Sequence, residues 1–177
     1  MAETIQRGAA PATAEKSLPE KLAAVIVAES LPAIAADAGF VAVVEDDGQT
    51  VNVLRVTPFA DAPIRLTFPL ESPYPLAETI RRRQPLFIES NERLACDHPG
   101  LVRINEEDHA CATLPLFDDD REILGALNLA FDEPHTFSNE ELELIEVLAR
   151  ECRQAMLLGR RVRDELAGRA LRVAAES

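Results

Sequence analysis

Apolar residues near the start of the chain recur with a helical period. Ser17, followed by Glu20 three residues later, has the form of a capping box. The helical stripe then continues through Leu22, Val25 and Ile26. Proline has no amide hydrogen and is tolerated best in a first helical turn. The pattern therefore predicts a helix from Ser17 to Gly39 with a break or restart near Ser30 to Pro32.

The pattern then changes to short β-branched runs separated by turns. Residues 40–45 and 50–57 predict two antiparallel strands, because Asp46-Asp47-Gly48-Gln49 between them suits a tight hairpin. Five prolines in residues 58–75 predict mostly loop, with a short edge strand at 64–68.

The middle of the chain has weaker signals. Residues 76–83 predict a short helix that stops before Pro85, and residues 86–88 predict a brief strand. Residues 89–108 are polar and predict an irregular segment with at most a helical turn.

Residues 109–117 and 122–131 predict the clearest hairpin, joined by an acidic turn. If Phe117 faces Glu122, the bulky apolar side chains share one face: Leu114, Leu116, Ile123, Leu127, Leu129 and Phe131. The smaller and more polar side chains share the other: His109, Cys111, Thr113, Ala126 and Asn128. Helices packed on the first face and a loop covering a cavity on the second explain both sets.

The final helix has the best-marked beginning. Ser138 and Glu141 form a second capping box, and Phe137 is placed to contact Leu142. A heptad-like stripe follows: Ile145, Leu148, Cys152, Ala155, Gly159, Val162 and Leu166. Residues 159–177 then form a helical extension that either meets another helix or frays in solvent.

Composition narrows the classes of function. The chain has 177 residues, 47% of them hydrophobic, which suits one domain. We assign 1–16 to a flexible leader and 17–158 to the domain. Asp and Glu number 31 against 18 Lys and Arg, which disfavours nucleic-acid binding. Neither a membrane span nor a secretory signal is recognisable, so we expect a cytoplasmic protein.

Candidate chemistry is sparse. Cys96 with His98 and His109 with Cys111 offer soft metal ligands, but ordinary buried cysteines and a turn histidine explain the same residues, so we assign no metal. Tyr74 and Arg103 lie in segments that flank the expected cavity, where an arginine can pair with an anionic ligand. No serine or cysteine catalytic triad is recognisable, which predicts a protein that is not an enzyme.

Several segments together resemble the GAF family of small-molecule sensory domains. Residues 113–117 (TLPLF), 123–132 (ILGALNLAFD) and 134–138 (PHTFS) are similar to its C-terminal signature. Residues 69–70, 75–80 and 84–90 are similar to its central segment in bacterial signalling proteins.

The resemblance implies an α+β fold, with a central antiparallel sheet, terminal helices on one face and a loop-covered pocket on the other. It also implies a bacterial signalling role, with homodimerisation through the terminal helices and a histidine kinase, phosphatase or transcription regulator as output domain. The ligand is an unidentified small molecule and the cofactor is unknown. The expected ligand-binding residues are Tyr74, Arg103, His109, Cys111, Thr113 and Asn128.

Two alternatives stay open. One is a structural GAF domain that dimerises without a ligand. The other is a thiol-dependent enzyme like the free methionine sulfoxide reductases. Ala95-Cys96-Asp97 is similar to part of their motif, but residues 69–83 lack the second cysteine and the glycines.

Overall fold

The computed structural model describes residues 18–58 and 63–175. Its elements are α1 (Leu18–Ile34), β1 (Ala38–Val44), β2 (Thr50–Val56), β3 (Ile64–Pro69), α2 (Pro75–Arg82), β4 (Leu86–Ile88), α3 (Asn91–Asp97), β5 (Ala110–Phe117), β6 (Ile123–Phe131) and α4 (Asn139–Ala175). The predicted cap Ser17 and the leader 1–16 lie outside the described residues.

The six strands form one antiparallel sheet in the order β3-β2-β1-β6-β5-β4. The two central strands, β1 and β6, are buried along almost their whole length. The predicted α+β fold is therefore confirmed.

Helices α1 and α4 pack together on one face of the sheet, here called the helix face. This core includes Val27 and Leu31 from α1, Leu127 and Leu129 from β6, and Ile145 from α4. Strand alternation sends neighbouring side chains to opposite faces, which is why β6 also serves the second face.

The second face is covered by α2 and by the segment that precedes β5. Leu76, Ala77 and Ile80 of α2 are buried against Phe40 and Ala126 of the sheet. Ile104, from the covering segment, packs against the same cluster. We call this side of the sheet the loop-covered face.

The β1–β2 turn forms as its composition predicts. Gly48 has a positive φ of 66°, a conformation that glycine adopts without steric cost. The Asp47 carboxylate accepts hydrogen bonds from the backbone amides of Gln49 and Thr50, each over 2.8 Å. These bonds close the turn and fix the register of the hairpin.

The register predicted for the β5–β6 hairpin was wrong by two residues. Thr113 faces Asn128, and Phe117 faces Ile123 because an irregularity between Leu116 and Phe117 takes up one residue. A shift of two keeps each side chain on its predicted face, but the irregularity moves Ile123, which packs against the loop-covered face.

Gly125, next to this irregularity, comes very close to β1. A β-carbon at this position would lie 1.8 Å from the carbonyl oxygen of Ala42. Only glycine allows the two strands to approach in this way.

Helix α1 does not break where the sequence predicts. It continues through Pro32 to Ile34, and Ala35 then adopts a positive φ of 56°. Because Pro32 lies in the last turn, its missing amide removes only one hydrogen bond near the helix end. Strand β1 begins at Ala38, so the helix ends well before Gly39, the predicted helix end.

The predicted irregular stretch also contains a complete short helix. Residues Asn91–Asp97 form α3, and the Ser90 hydroxyl accepts a hydrogen bond from the amide of Arg93 over 3.2 Å. Leu94 alone is buried in this helix, so its sequence carries almost no helical stripe.

Helix α4 begins with the predicted capping box. The Ser138 hydroxyl accepts from the Glu141 amide over 3.2 Å, and the Glu141 carboxylate accepts from the Ser138 amide over 3.0 Å. The helix then runs unbroken for 37 residues. Its first half packs on the sheet, whereas Val162 and Leu166 lie beyond the core and are exposed.

Candidate ligand-binding face

A row of polar side chains crosses the loop-covered face. Arg55 of β2, Asn128 of β6 and Thr113 of β5 lie side by side in the strand register, with the apolar Phe40 of β1 between Arg55 and Asn128. The surrounding side chains of this face are apolar and buried. The row therefore supplies most of the hydrogen-bonding capacity at the centre of the face.

Thr113 and Asn128 are hydrogen-bonded to each other. The Asn128 Nδ2 donates to the Thr113 Oγ1 over 2.8 Å, and both residues are almost completely buried. A buried amide without a partner costs about 1–3 kcal/mol, which the hydroxyl here offsets. The two predicted site residues form one buried polar pair.

Arg103 contacts two further predicted residues, His109 and Cys111, at the rim of this face. Its Nη1 lies 3.5 Å from the Cys111 Sγ, and its Nη2 donates to the His109 carbonyl oxygen. Its Nε donates to the Asn91 Oδ1 over 2.9 Å, and the Asn91 amide lies 3.2 Å from the His109 Nδ1. Arg103 thus ties the covering segment to the edge of the sheet.

Tyr74 lies apart from the other predicted residues. It precedes α2, and its ring packs edge-on against Phe68 of β3 with centroids 4.9 Å apart. The structure therefore brings five of the six predicted residues into two adjoining groups and leaves Tyr74 at the β3 side.

A cavity of about 180 Å³ lies between α2 and β4, lined in part by Thr79, Leu86 and His98. Thr79 is 1% exposed, and its hydroxyl has no hydrogen-bond partner among the described residues. Leu86 pairs with Thr113, so the cavity adjoins the polar row. Sequence reasoning missed Thr79, because it occurs within an ordinary helical segment.

Asp108 and Arg55 form a second group that sequence reasoning missed. Burial raises the pKa of the Asp108 carboxyl to about 6, although the Asn105 amide and the Arg55 charge oppose that rise. The Arg55 Nε is buried without a hydrogen-bond partner in the described part of the chain. A charged residue on the apolar side of β2 was the available signal for Arg55.

Two of the three cysteines, Cys111 and Cys152, are poorly suited to nucleophilic chemistry. Burial raises the pKa of the Cys111 thiol, and burial raises that of Cys152 to about 12. Only Cys96 is exposed. Within residues 18–58 and 63–175, no three His, Cys, Asp or Glu side chains are grouped so as to hold a metal ion.

No helix in the described ranges is both long enough and apolar enough to cross a membrane.

The solved structures most useful for comparison share the fold at low sequence identity. The second GAF domain of DevS from Mycobacterium smegmatis is 21% identical, with a TM-score of 0.59 over 83% of this chain and 99% of that one. A domain assigned to a two-component sensor histidine kinase protein of Sinorhizobium meliloti 1021 is 18% identical, with a TM-score of 0.52 over 85% and 97%.

An enzyme has the same fold. The type II free methionine-R-sulfoxide reductase from Thermoplasma acidophilum is 12% identical, with a TM-score of 0.61 over 80% of this chain and 94% of that one. No curated protein sequence gave a significant match.

The family comparison is more direct. The model of the GAF domain matches residues 17–156, which is most of the chain and includes every strand of the sheet. The chain therefore belongs to the GAF domain family.

Proposed function

We propose that this chain is a sensory and regulatory GAF domain that binds a small polar molecule on its loop-covered face and dimerises through α1 and α4. The observation that carries the ligand proposal is Thr79, which lines the cavity and whose buried hydroxyl lacks a partner among the described residues. A polar ligand would supply that missing hydrogen bond.

Strand β6 offers a route from this face to the helices. Asn128 points to the loop-covered face, and Phe131, three residues later, stacks on His135 with centroids 4.1 Å apart. His135 Nε2 lies 2.7 Å from the Glu141 carboxylate in the first turn of α4. A ligand that favours one position of β6 would therefore favour one position of α4.

The dimer proposal rests on an apolar groove of about 580 Å³ between α1 and α4. Val25 on one wall is 58% exposed and Leu158 on the other is 56% exposed. Exposed apolar side chains facing a groove are typical of a protein–protein contact. The proposed output partner is a histidine kinase, phosphatase or transcription regulator; the similar fold in a domain assigned to a sensor histidine kinase supports the first.

The experiment that tests ligand binding is a thermal-shift screen of the full chain against amino acids, nucleotides, 2-oxo acids and inorganic anions. A compound that raises Tm in the wild type should lose that effect in Thr79→Val, which removes the hydroxyl but keeps the shape. Thr57→Val, just after β2 and not among the residues that line the cavity, is the control. A compound that raises the Tm of Thr79→Val as much as that of the wild type would contradict the proposed binding position.

A structural domain without ligand is the second candidate. The close packing of Leu76, Ala77 and Ile80 against the sheet supports it, because these side chains fill much of the loop-covered face. If the screen yields no hit while the chain remains dimeric, this candidate replaces the first.

A sulfoxide reductase activity is disfavoured by the cysteines. Cys111 and Cys152 lie in different clusters and have raised thiol pKa values, so neither supplies a ready thiolate. Cys96 is exposed, but residues 69–83 contain no second cysteine to act with it. Reduction of free methionine sulfoxide by the purified chain would overturn this assignment.

A further inference from the structure

We propose that a second copy of this chain binds the outer surface of α4 in an antiparallel orientation, with a twofold axis passing close to residue 156. The proposal rests on the dimerisation proposed above and specifies its geometry. It follows from the arrangement of charge and apolar surface along one helix.

The outer surface of α4 carries an exposed stripe with alternating spacings of three and four residues. This outer stripe is formed by Leu144, Val147, Glu151, Gln154, Leu158 and Arg161. It faces away from the core positions of the same helix, such as Ile145 and Cys152. The spacing is that of a seam between two packed helices.

The stripe is complementary to itself only when one copy is reversed. Glu151 and Arg161 lie at equal distances on either side of residue 156, and so do Gln154 and Leu158. An antiparallel pair therefore places each Glu151 beside the Arg161 of the other copy. A parallel pair places Glu151 beside Glu151 and Arg161 beside Arg161, which is repulsive.

The side chains of Glu151 and Arg161 are both exposed. Glu151 and Arg161 take part in no ion pair with another residue of the ranges 18–58 and 63–175. Each side chain is therefore available to a second copy.

The whole helix repeats this polarity. Residues 139–151 contain five glutamates and one arginine, whereas residues 152–175 contain six arginines and two acidic residues. Two reversed helices bring the acidic half of one against the basic half of the other. Long-range attraction thus favours the same orientation as the local pairs.

The apolar centre of this surface coincides with the groove between α1 and α4. Glu151, Leu158 and Arg161 all line that groove, together with Val25 of α1. The surface therefore has an apolar centre and a charged rim, as stable interfaces do. A second copy supplies apolar side chains for the centre and charges of opposite sign for the rim.

Charge exchange tests the pairing. In analytical ultracentrifugation at low salt, Glu151→Arg and Arg161→Glu should each raise the dimer Kd about tenfold, because each replaces two attractive pairs by repulsive ones. The double variant should return to near the wild-type Kd. Single variants that leave the Kd unchanged would overturn the pairing. Arg93→Glu, on α3 and outside the proposed interface, is the control for net charge.

Disulfide trapping tests the orientation, in a Cys96→Ser background that removes the exposed thiol. Copies carrying Val147→Cys mixed with copies carrying Glu165→Cys should cross-link, because these positions lie opposite one another. Val147→Cys alone should not, since its two copies would lie roughly 27 Å apart along the axis. Cross-linking of Val147→Cys alone, without cross-linking of the mixture, would overturn the antiparallel orientation but leave the dimer intact.

The oligomeric state of the full chain tests whether the dimer exists at all, which is separate from its orientation. A full chain that remains monomeric at high micromolar concentration overturns the dimer and the orientation together. If a variant without residues 2–16 dimerises where the full chain does not, that segment of the same chain occupies the surface, and the second-copy proposal is wrong for the full chain. Unchanged circular dichroism confirms that each variant is folded.

Discussion

Gly159 of α4 lies directly against Pro19 of α1: a β-carbon at Gly159 would come within 2.6 Å of the Pro19 Cα and 2.8 Å of its nitrogen. The obstacle is backbone, which cannot move aside as a side chain end does. The two helices therefore approach at this point only because residue 159 has no side chain. This contact fixes where α1 begins relative to the middle of α4.

Gly159→Ala should destabilise the domain by roughly 1–3 kcal/mol, because the overlap forces the helices apart. Alanine is otherwise the better helix former by about 1 kcal/mol, so the sign of the effect reports the contact. Gly168→Ala is the matched control, since its nearest neighbouring atom would be 4.0 Å away. Gly168→Ala should raise the free energy of unfolding slightly, as measured by urea denaturation. Equal effects of both variants would contradict the close approach.

Ser138→Ala should lower the free energy of unfolding by about 1 kcal/mol, because it removes the acceptor for the Glu141 amide. Ser72→Ala is the control, since its hydroxyl makes no hydrogen bond to the described residues. Chemical denaturation measures both. An unchanged midpoint for Ser138→Ala would mean that the capping box contributes nothing to stability.

Stability should fall as the pH rises through about 6, because of Asp108. Burial raises the pKa of Asp108 in the folded state above its ordinary value of 3.8, so the fold favours the protonated carboxyl. That contribution is fully present below pH 3.8 and is lost as the pH rises through the folded value. Its full size is on the order of 2–3 kcal/mol.

Asp108→Asn should remove this dependence and should be more stable than the wild type at pH 8. The exposed Asp46→Asn substitution should follow the wild-type curve between pH 4 and 8. Thermal denaturation across this range distinguishes them. A wild-type curve that stays flat through pH 6 would argue against a protonated Asp108 in the fold.

The two buried threonines of the loop-covered face should respond differently to the same change. Thr113→Val leaves the Asn128 amide without its partner and should cost about 1–3 kcal/mol. Thr79→Val breaks no hydrogen bond with the described residues, so it should be neutral or slightly stabilising. A large loss in Thr79→Val would reveal that its hydroxyl is already bonded, which would weaken the ligand proposal.

The sequence predicted best where local rules determine the structure. The box of Ser138 and Glu141, and the turn at Gly48, depend on residues close in the chain, and both formed as expected. The β5–β6 register failed because the irregularity after Leu116 depends on how β6 approaches β1 at Gly125. No local pattern in the hairpin itself encodes that approach.

The candidate site was predictable only in part, for a related reason. Asn128 and Thr113 were identified because strand alternation alone separates them from their apolar neighbours. Thr79 and Asp108 are important because burial deprives one of a partner and raises the pKa of the other. Burial of that kind depends on α2 and the covering segment, whose positions are set by tertiary contacts.

The unbroken helix α4 also acts as a lever. Beyond Gly159 it continues to Ala175 over roughly 24 Å, without a proline that would introduce a hinge. A tilt of about 5° at its packed end would move its tip by about 2 Å, a shift comparable to those seen at subunit interfaces in regulated proteins. Small rearrangements near His135 would therefore be enlarged at the far end of the helix.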